Sequence, residues 1–388
     1  MNEVQHSSRA HARLGASSSH RWMMCPPSVK LSEQFEDRPS AYAEEGTFLH
    51  ELCELKLHRY LGDMYPEHIE QLYAEHRDCD FYSDEAEAVT DEYVAFCIET
   101  IEAVRSSCPD PLIMVEHRLD YSEYVPEGFG TGDLVIVADG VIEVIDFKGG
   151  RGVRVDAKRN SQLMLYGLGA LLEFDPLYDI RTVRMTIVQP RLSNTSTYEI
   201  TAGELIRWAE SEVRPKALLA YEGKGEFCAG EWCRFCKARY TCRKRSEYHM
   251  RLAERDFRQP DLLSDEEIAD ILPVAESLNS WVQDLLAYAT QEAVGGKSWP
   301  GYKLVAGRSV RRYTSEAEVI KAATEAGYTD IYKTTLLGVG ELEKRLGRKR
   351  FSEVLGRFVI KPAGAPTLVP ESDPRRPYSD AASDFAQA

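Results

Sequence analysis

Two aspartates face each other across a hairpin that the sequence predicts between Gly132 and Lys148, and this segment constrains the fold more than any other. Leu134-Val135-Ile136-Val137-Ala138 and Val141-Ile142-Glu143-Val144-Ile145 are β-branched and apolar, and Asp139-Gly140 between them carries a two-residue type I′ turn signal. A two-residue turn sets the register: 138 opposes 141, 137 opposes 142, and 133 opposes 146. Directly opposed side chains share a face and lie about 5 Å apart. Two carboxylates so placed repel each other unless a positive charge lies between them. A divalent cation supplies that charge. Lys148 shares the face of Asp146, because side chains alternate along a strand. Two acids and a lysine converging at one end of a hairpin point to metal-assisted attack on a phosphate. Both strands are apolar on both faces, as in a sheet covered by helices on each side.

The remaining pattern predicts an α/β chain with a mixed β-sheet core flanked by helices. Phe48, Leu52 and Leu55 recur at helical spacing in a helix over 44–61. Further helices are expected at 85–106, 157–173, 202–221 and 262–293, the last as one helix or two, and strands at 111–119 and 183–189. Ser17-Ser18-Ser19 suits the start of a short helix ending before Cys25-Pro26-Pro27. Beyond Trp299-Pro300-Gly301 a short strand, a helix near 315–326 and another near 339–357 are expected. The domain reading is a flexible arm over 1–16, a core over 17–250 that ends in a cysteine-cluster appendage, and a mostly helical region over 251–361. A Pro-rich polar tail over 362–388 is expected to be disordered.

The net charge of −16 argues at first against a nucleic-acid partner. Its distribution weakens the objection. Residues 63–102 hold thirteen acids and one arginine, whereas Arg234 to Arg251 holds seven Lys or Arg and one Glu. A basic patch on an acidic protein can still bind a phosphate backbone. The N-terminus lacks an apolar signal region and no stretch reaches the length of a membrane span, so a cytoplasmic protein with no membrane partner is expected. Nothing in the sequence sets an oligomeric state.

Three further groups carry chemistry. Gln162 and Tyr166 lie at i and i+4 on the helix after the hairpin and share a face. His50 sits on the amphipathic helix over 44–61, where a histidine serves as a packing residue or as a nitrogen donor to a metal. Cys233-x₂-Cys236-x₅-Cys242, with Cys228 just upstream, has the spacing of metal ligands. Four sulfurs complete such a site. With Cys228 it becomes a local Zn²⁺ knuckle; with Cys25 it becomes a cluster tying the N-terminal segment to the end of the core.

Taken in order, His50, Gly132-Asp133, Asp146-Phe147-Lys148 and Gln162-x₃-Tyr166 resemble the PD-(D/E)XK nuclease superfamily, in its RecB-type exonuclease branch. The cysteines resemble its iron–sulfur subgroup, in which one cysteine precedes the nuclease motifs and three follow. The chain as a whole is similar to a family of phage and prophage proteins predicted to be such nucleases. The resemblance implies a restriction-endonuclease-like fold and a DNA exonuclease active in phage recombination or DNA processing. It implies Mg²⁺ or Mn²⁺ held by His50, Asp133, Asp146 and the Phe147 backbone carbonyl, with Lys148 catalytic beside Asp133 and Asp146. It implies a 4Fe–4S cluster on Cys25, Cys233, Cys236 and Cys242, the alternative being Zn²⁺ on Cys228, Cys233, Cys236 and Cys242. Gln162 and Tyr166 would position the DNA strand, and Glu116 on the preceding strand would ligate a second metal, support the site or pair with Arg118. A phage single-strand-annealing protein is the partner the resemblance suggests. The competing class is a non-catalytic DNA-binding or scaffold protein of the same fold with structural zinc.

Overall fold

The β-branched runs on either side of Asp139-Gly140 form the centre of a five-stranded mixed sheet of order β1-β2-β3-β4-β5. A computed structural model describes residues 12–36, 41–253, 265–302, 347–355 and 359. The strands are β1 (Leu112–Asp120), β2 (Phe129–Ala138), β3 (Val141–Phe147), β4 (Thr182–Gln189) and β5 (Asn194–Thr201). β3 and β4 run parallel and the other pairs antiparallel. The predicted register holds, with Ala138 paired to Val141 and Leu134 to Ile145. The turn differs from type I′. That type needs a positive φ at both central residues, and of the two only Gly140 has one, at +74°.

Helices cover both faces, as the doubly apolar strands require. On one face lie α3 (Ala41–Leu61), α4 (Pro66–Arg77) and α5 (Asp84–Ser107). Phe48, Leu52 and Leu55 of α3 pack with Leu134, Ile136, Ile145 and Phe147. Cys53 and Cys97 are buried in the same core, as small apolar residues. On the other face, Val135, Val137, Val144 and Met185 meet α6 (Ser161–Tyr178), α7 (Ala202–Trp208) and α8 (Arg214–Glu222). The short helices α1 (Ser19–Met24) and α2 (Ser28–Ser32) belong to this second layer through Trp22, Met23 and Val29. Leu14 and Ala16, at the end of the segment read as a flexible arm, are buried in the same core. Two apolar side chains therefore anchor the end of what polarity suggested was free.

Helix α6 begins at Ser161 and not near Ala157. Arg159 has φ +53°, which a helix cannot contain. Asn160 then caps the helix, its side chain accepting the N–H groups of Gln162 and Leu163 at 3.0 and 3.2 Å. Asn160→Ala protein is expected to lose about 1 kcal/mol in urea unfolding. Strand β5 was not anticipated. It is an edge strand whose side chains are alternately exposed and half-buried, and its Thr-rich polar sequence lacks the apolar alternation that marks a covered strand. The expected helix over 202–221 is α7 and α8 joined by a π-helical segment, Ala209–Val213.

The chain divides into two compact units, Met1–Ala289 and Thr290–Ala388. In the first, α9 (Arg243–Ala253) follows the last cysteine and the long α10 (Asp265–Val294) begins; α10 is one helix where one or two were expected. In the second, α11 (Arg348–Leu355) buries Phe351. The expected strand after residue 301, the helix near 315–326, most of the arm and the tail over 362–388 lie outside the described residues.

Candidate metal and acid–lysine site

The sheet brings three carboxylates into one row. Leu134 pairs with Ile145, so one step further Asp133 falls opposite Asp146. Val115 pairs with Leu134 and His117 with Gly132, so Glu116 falls opposite Asp133 on the other side. Asp133 and Asp146 are buried, and Glu116 is half-buried. Glu116 has φ +49° within a strand, a strained conformation that must be held by its surroundings.

His50 reaches this row from the opposite helical layer. Its Nδ1 lies 3.3 Å from Asp133 Oδ1, and its ring meets the edge of Phe147 with centroids 5.2 Å apart. One ligand atom each from His50, Glu116 and Asp133 lies within 4.8 Å of the other two. Asp133 Oδ2 accepts the Phe147 backbone N–H at 2.6 Å. What Phe147 gives Asp133 is thus an amide that fixes the carboxylate.

Asp146 faces the lysine. Lys148 Nζ lies 2.8 Å from the buried Asp146 Oδ2, an ion pair held away from water. Gln162 organises the pair. Its Nε2 donates to Asp146 Oδ1 at 2.9 Å and contacts the Tyr166 hydroxyl at 3.1 Å, while its Oε1 accepts from Lys148 Nζ at 3.1 Å. Tyr166 is buried. Of the two residues read as contacts to a DNA strand, Gln162 bonds the acid and the lysine, and Tyr166 accepts from Gln162.

The charges answer one another. Burial pushes the Asp133 carboxyl up, but His50, Lys148 and the Phe147 amide outweigh it and hold it below the usual range. Burial and the Asp133 charge push Glu116 up to about 7 against the pull of His50. Burial also raises Asp146, against Lys148. Burial disfavours the His50 cation, yet Asp133 and Asp146 raise it to about 9. The same two aspartates raise Lys148. This is a site with one carboxylate too many for its internal cations, and a bound cation relieves it.

The sequence left Glu116 as a ligand of a second metal, a partner of Arg118 or a supporting residue. The structure groups it with His50 and Asp133, while Arg118 lies over the Phe129 ring at 3.6 Å. The signal was present in the strand pattern, but only the β1–β2 register shows it.

The cysteines form a second centre. Cys25, Cys228, Cys233, Cys236 and Cys242 line one cavity with Arg21 and Arg245. Cys25 Sγ accepts the Cys228 backbone N–H at 3.4 Å, and Cys236 Sγ lies 3.8 Å from Ser32 Oγ. Cys25 and Cys236 are buried, whereas Cys228 is exposed. Burial pushes the Cys25 thiol up and Cys233 to about 11. These are not free surface nucleophiles, and a cation is what would hold them as thiolates.

The basic run over 234–251 is partly used internally. Arg245 is buried and its Nη1 bonds Asp284 Oδ2 at 2.7 Å, and Arg239 lies 3.7 Å from the other oxygen of that carboxylate. Tyr240 stacks on Tyr288, and His249 on Trp281. The patch open to a phosphate backbone is correspondingly smaller than the count suggests.

Residues 11–376 match the family described as protein of unknown function (DUF2800). The chain belongs to this family. It is also similar to the protein in the crystal structure of SSO0001, at 12% identity over 62% of this chain and 92% of that one, with a TM-score of 0.28, a likeness too slight to fix a fold. Among the described residues, no helix is long and apolar enough to cross a membrane.

Proposed function

We propose that the chain is a Mg²⁺- or Mn²⁺-dependent deoxyribonuclease that shortens DNA from its ends, on a restriction-endonuclease-like core. The observation that carries this reading is the row Glu116–Asp133–Asp146, completed by His50 and by Lys148 on Asp146. The donor set fits a hard divalent cation: two carboxylates and one imidazole whose ligand atoms already converge, with the buried Asp146 carboxylate next along the row. Glu116, His50 and Asp133 would hold the ion, with Asp146 beside it. A metal there polarises a phosphate and lowers the pKa of bound water.

The chain's own groups do the rest. Asp146 and Gln162 hold the Lys148 ammonium in one place, so it can donate to a phosphate oxygen or orient the attacking water without reorganising. Asp133 is oriented by the Phe147 amide, which donates to its Oδ2. The test uses labelled linear DNA, single- and double-stranded, and covalently closed circles with Mn²⁺. Chelator-sensitive loss of linear DNA with circles untouched is expected. Cutting of circles, or no hydrolysis with any divalent metal, overturns the reading.

Metal affinity should depend on pH in a stated direction. With His50 raised to about 9 and Glu116 to about 7, both must release protons to become ligands. Titration calorimetry in buffers of different ionisation enthalpy should show about one proton released between pH 7 and 9 and more below 7. Apparent Mn²⁺ affinity should therefore rise with pH up to about 9.

A cysteine-bound 4Fe–4S cluster is part of the proposal. The buried Cys25, with the exposed Cys228 contributing its N–H, favours Cys25, Cys233, Cys236 and Cys242 as ligands.

A further inference from the structure

The cysteine loop carries aromatic rings outward as well as sulfurs inward. Phe235, between Cys233 and Cys236, is 74% exposed, and Phe227 is 43% exposed. Such rings are normally withdrawn from water. Phe227 and Trp232 share the rim of the cysteine cavity with Lys244. Arg234 is exposed beside Phe235. Glu231 lies 4.0 Å from His20, and Glu226 and Glu247 are near in sequence. Among the described residues Arg234 and Lys244 have no acidic partner, unlike Arg239 and Arg245, which hold Asp284.

One short helix joins this shelf to the acid–lysine site. Ser19, at the start of α1, bonds Ser161 through their hydroxyls at 2.6 Å. The residue after Ser161 is Gln162, which holds Asp146 and Lys148. The residue after Ser19 is His20, whose ring meets Trp232 edge-on with centroids 5.5 Å apart. The first turn of α1 thus touches both the helix that carries Gln162 and the Trp232 ring.

We propose that the Phe227–Trp232–Phe235 shelf, with Arg234 and Lys244 at its edge, is a docking surface for single-stranded DNA on its way to the acid–lysine site. This rests on the nuclease reading and adds the strand state. Exposed ring faces beside unpaired cations match unpaired bases on a phosphate backbone. A duplex keeps its base faces stacked inside and has nothing to lay on them.

The test measures anisotropy of labelled oligo-dT and of a duplex of equal length on the full chain in chelator, where no hydrolysis occurs. Phe235→Ala should weaken oligo-dT binding by about five- to a hundredfold and leave the duplex unchanged. Phe235→Trp should restore it. Arg234→Ala should lower the salt dependence of binding by about one ion. Phe235 is exposed, so the variant should keep its circular dichroism and its cysteine-bound metal content. Wild-type affinity of Phe235→Ala for oligo-dT, equal weakening on duplex, or no oligo-dT binding by the wild type overturns the proposal; the last would leave the shelf to a protein partner. Ring-dependent binding without any Mn²⁺-dependent hydrolysis would sink the nuclease reading and leave the shelf standing. Hydrolysis unaffected by Phe235→Ala, with unchanged binding, would do the reverse.

Discussion

Asp133→Asn protein is expected to lose DNA hydrolysis to the assay background, and Lys148→Ala protein about 100- to 1000-fold. The two losses have different origins. Asp133 is the carboxylate common to the metal group and the hairpin row, so its amide form removes cation binding itself. Lys148 leaves the metal group intact and removes only the donor that Asp146 and Gln162 hold. Mn²⁺ titration separates them: Lys148→Ala binds the ion and Asp133→Asn does not. Full activity in either variant would dissolve the catalytic assignment.

Stability adds a reading that activity cannot. Glu116 is pushed up to about 7 by burial and by Asp133, so its ionised form is disfavoured in the folded protein. That penalty begins near the ordinary glutamate pKa, grows until about pH 7 and is constant above it. Glu116→Gln protein, unfolded by urea in chelator, should therefore be more stable than wild type at pH 7 and no more stable at pH 4. Asp133 shifts the other way, held below the usual range by His50 and Lys148 against burial. Its stabilisation is present above the ordinary aspartate pKa and lost as pH falls through the lower folded value, so Asp133→Asn should be less stable at neutral pH. A substitution that raises stability while abolishing metal binding is the mark of a group kept for function. A destabilised Glu116→Gln protein would show that Glu116 is structural.

Cys25→Ser protein, purified anaerobically, is expected to be colourless, with iron and acid-labile sulfide near zero, and Cys228→Ser protein to keep both. Cys25 comes from the loop after α1, and its partners follow two hundred residues later. A group bound to all four closes this span in the folded state, so its loss also lowers the unfolding temperature. The physical basis is that Cys25 is buried, with its sulfur accepting the Cys228 backbone N–H, while Cys228 itself is exposed. Retention of one zinc ion by the Cys25→Ser protein, with its loss in Cys228→Ser, would replace the cluster with a local knuckle.

Legibility in the sequence followed the range of the interaction. The hairpin, its register and the shared face of Asp146 and Lys148 depend on residues no more than eight positions from Asp139-Gly140, and local alternation states them. The turn type escaped because Asp139-Gly140 suits more than one two-residue geometry. β5 escaped because an edge strand with a solvated face needs few apolar residues. The basic run was overcounted for a related reason: its length says nothing of Asp284, which takes up Arg239 and Arg245 from α10.

What the sequence determined by itself was the pairing of Asp133 with Asp146 and the presence of enough correctly spaced cysteines for a metal centre, because turn length and strand alternation act between near neighbours. What the tertiary structure decided was the company those groups keep. His50 arrives from the opposite helical layer, Glu116 enters through the β1–β2 register, and Cys25 crosses to the C-terminal cysteines. Each of these depends on how separate elements pack, and no local periodicity encodes which buried side chains will meet.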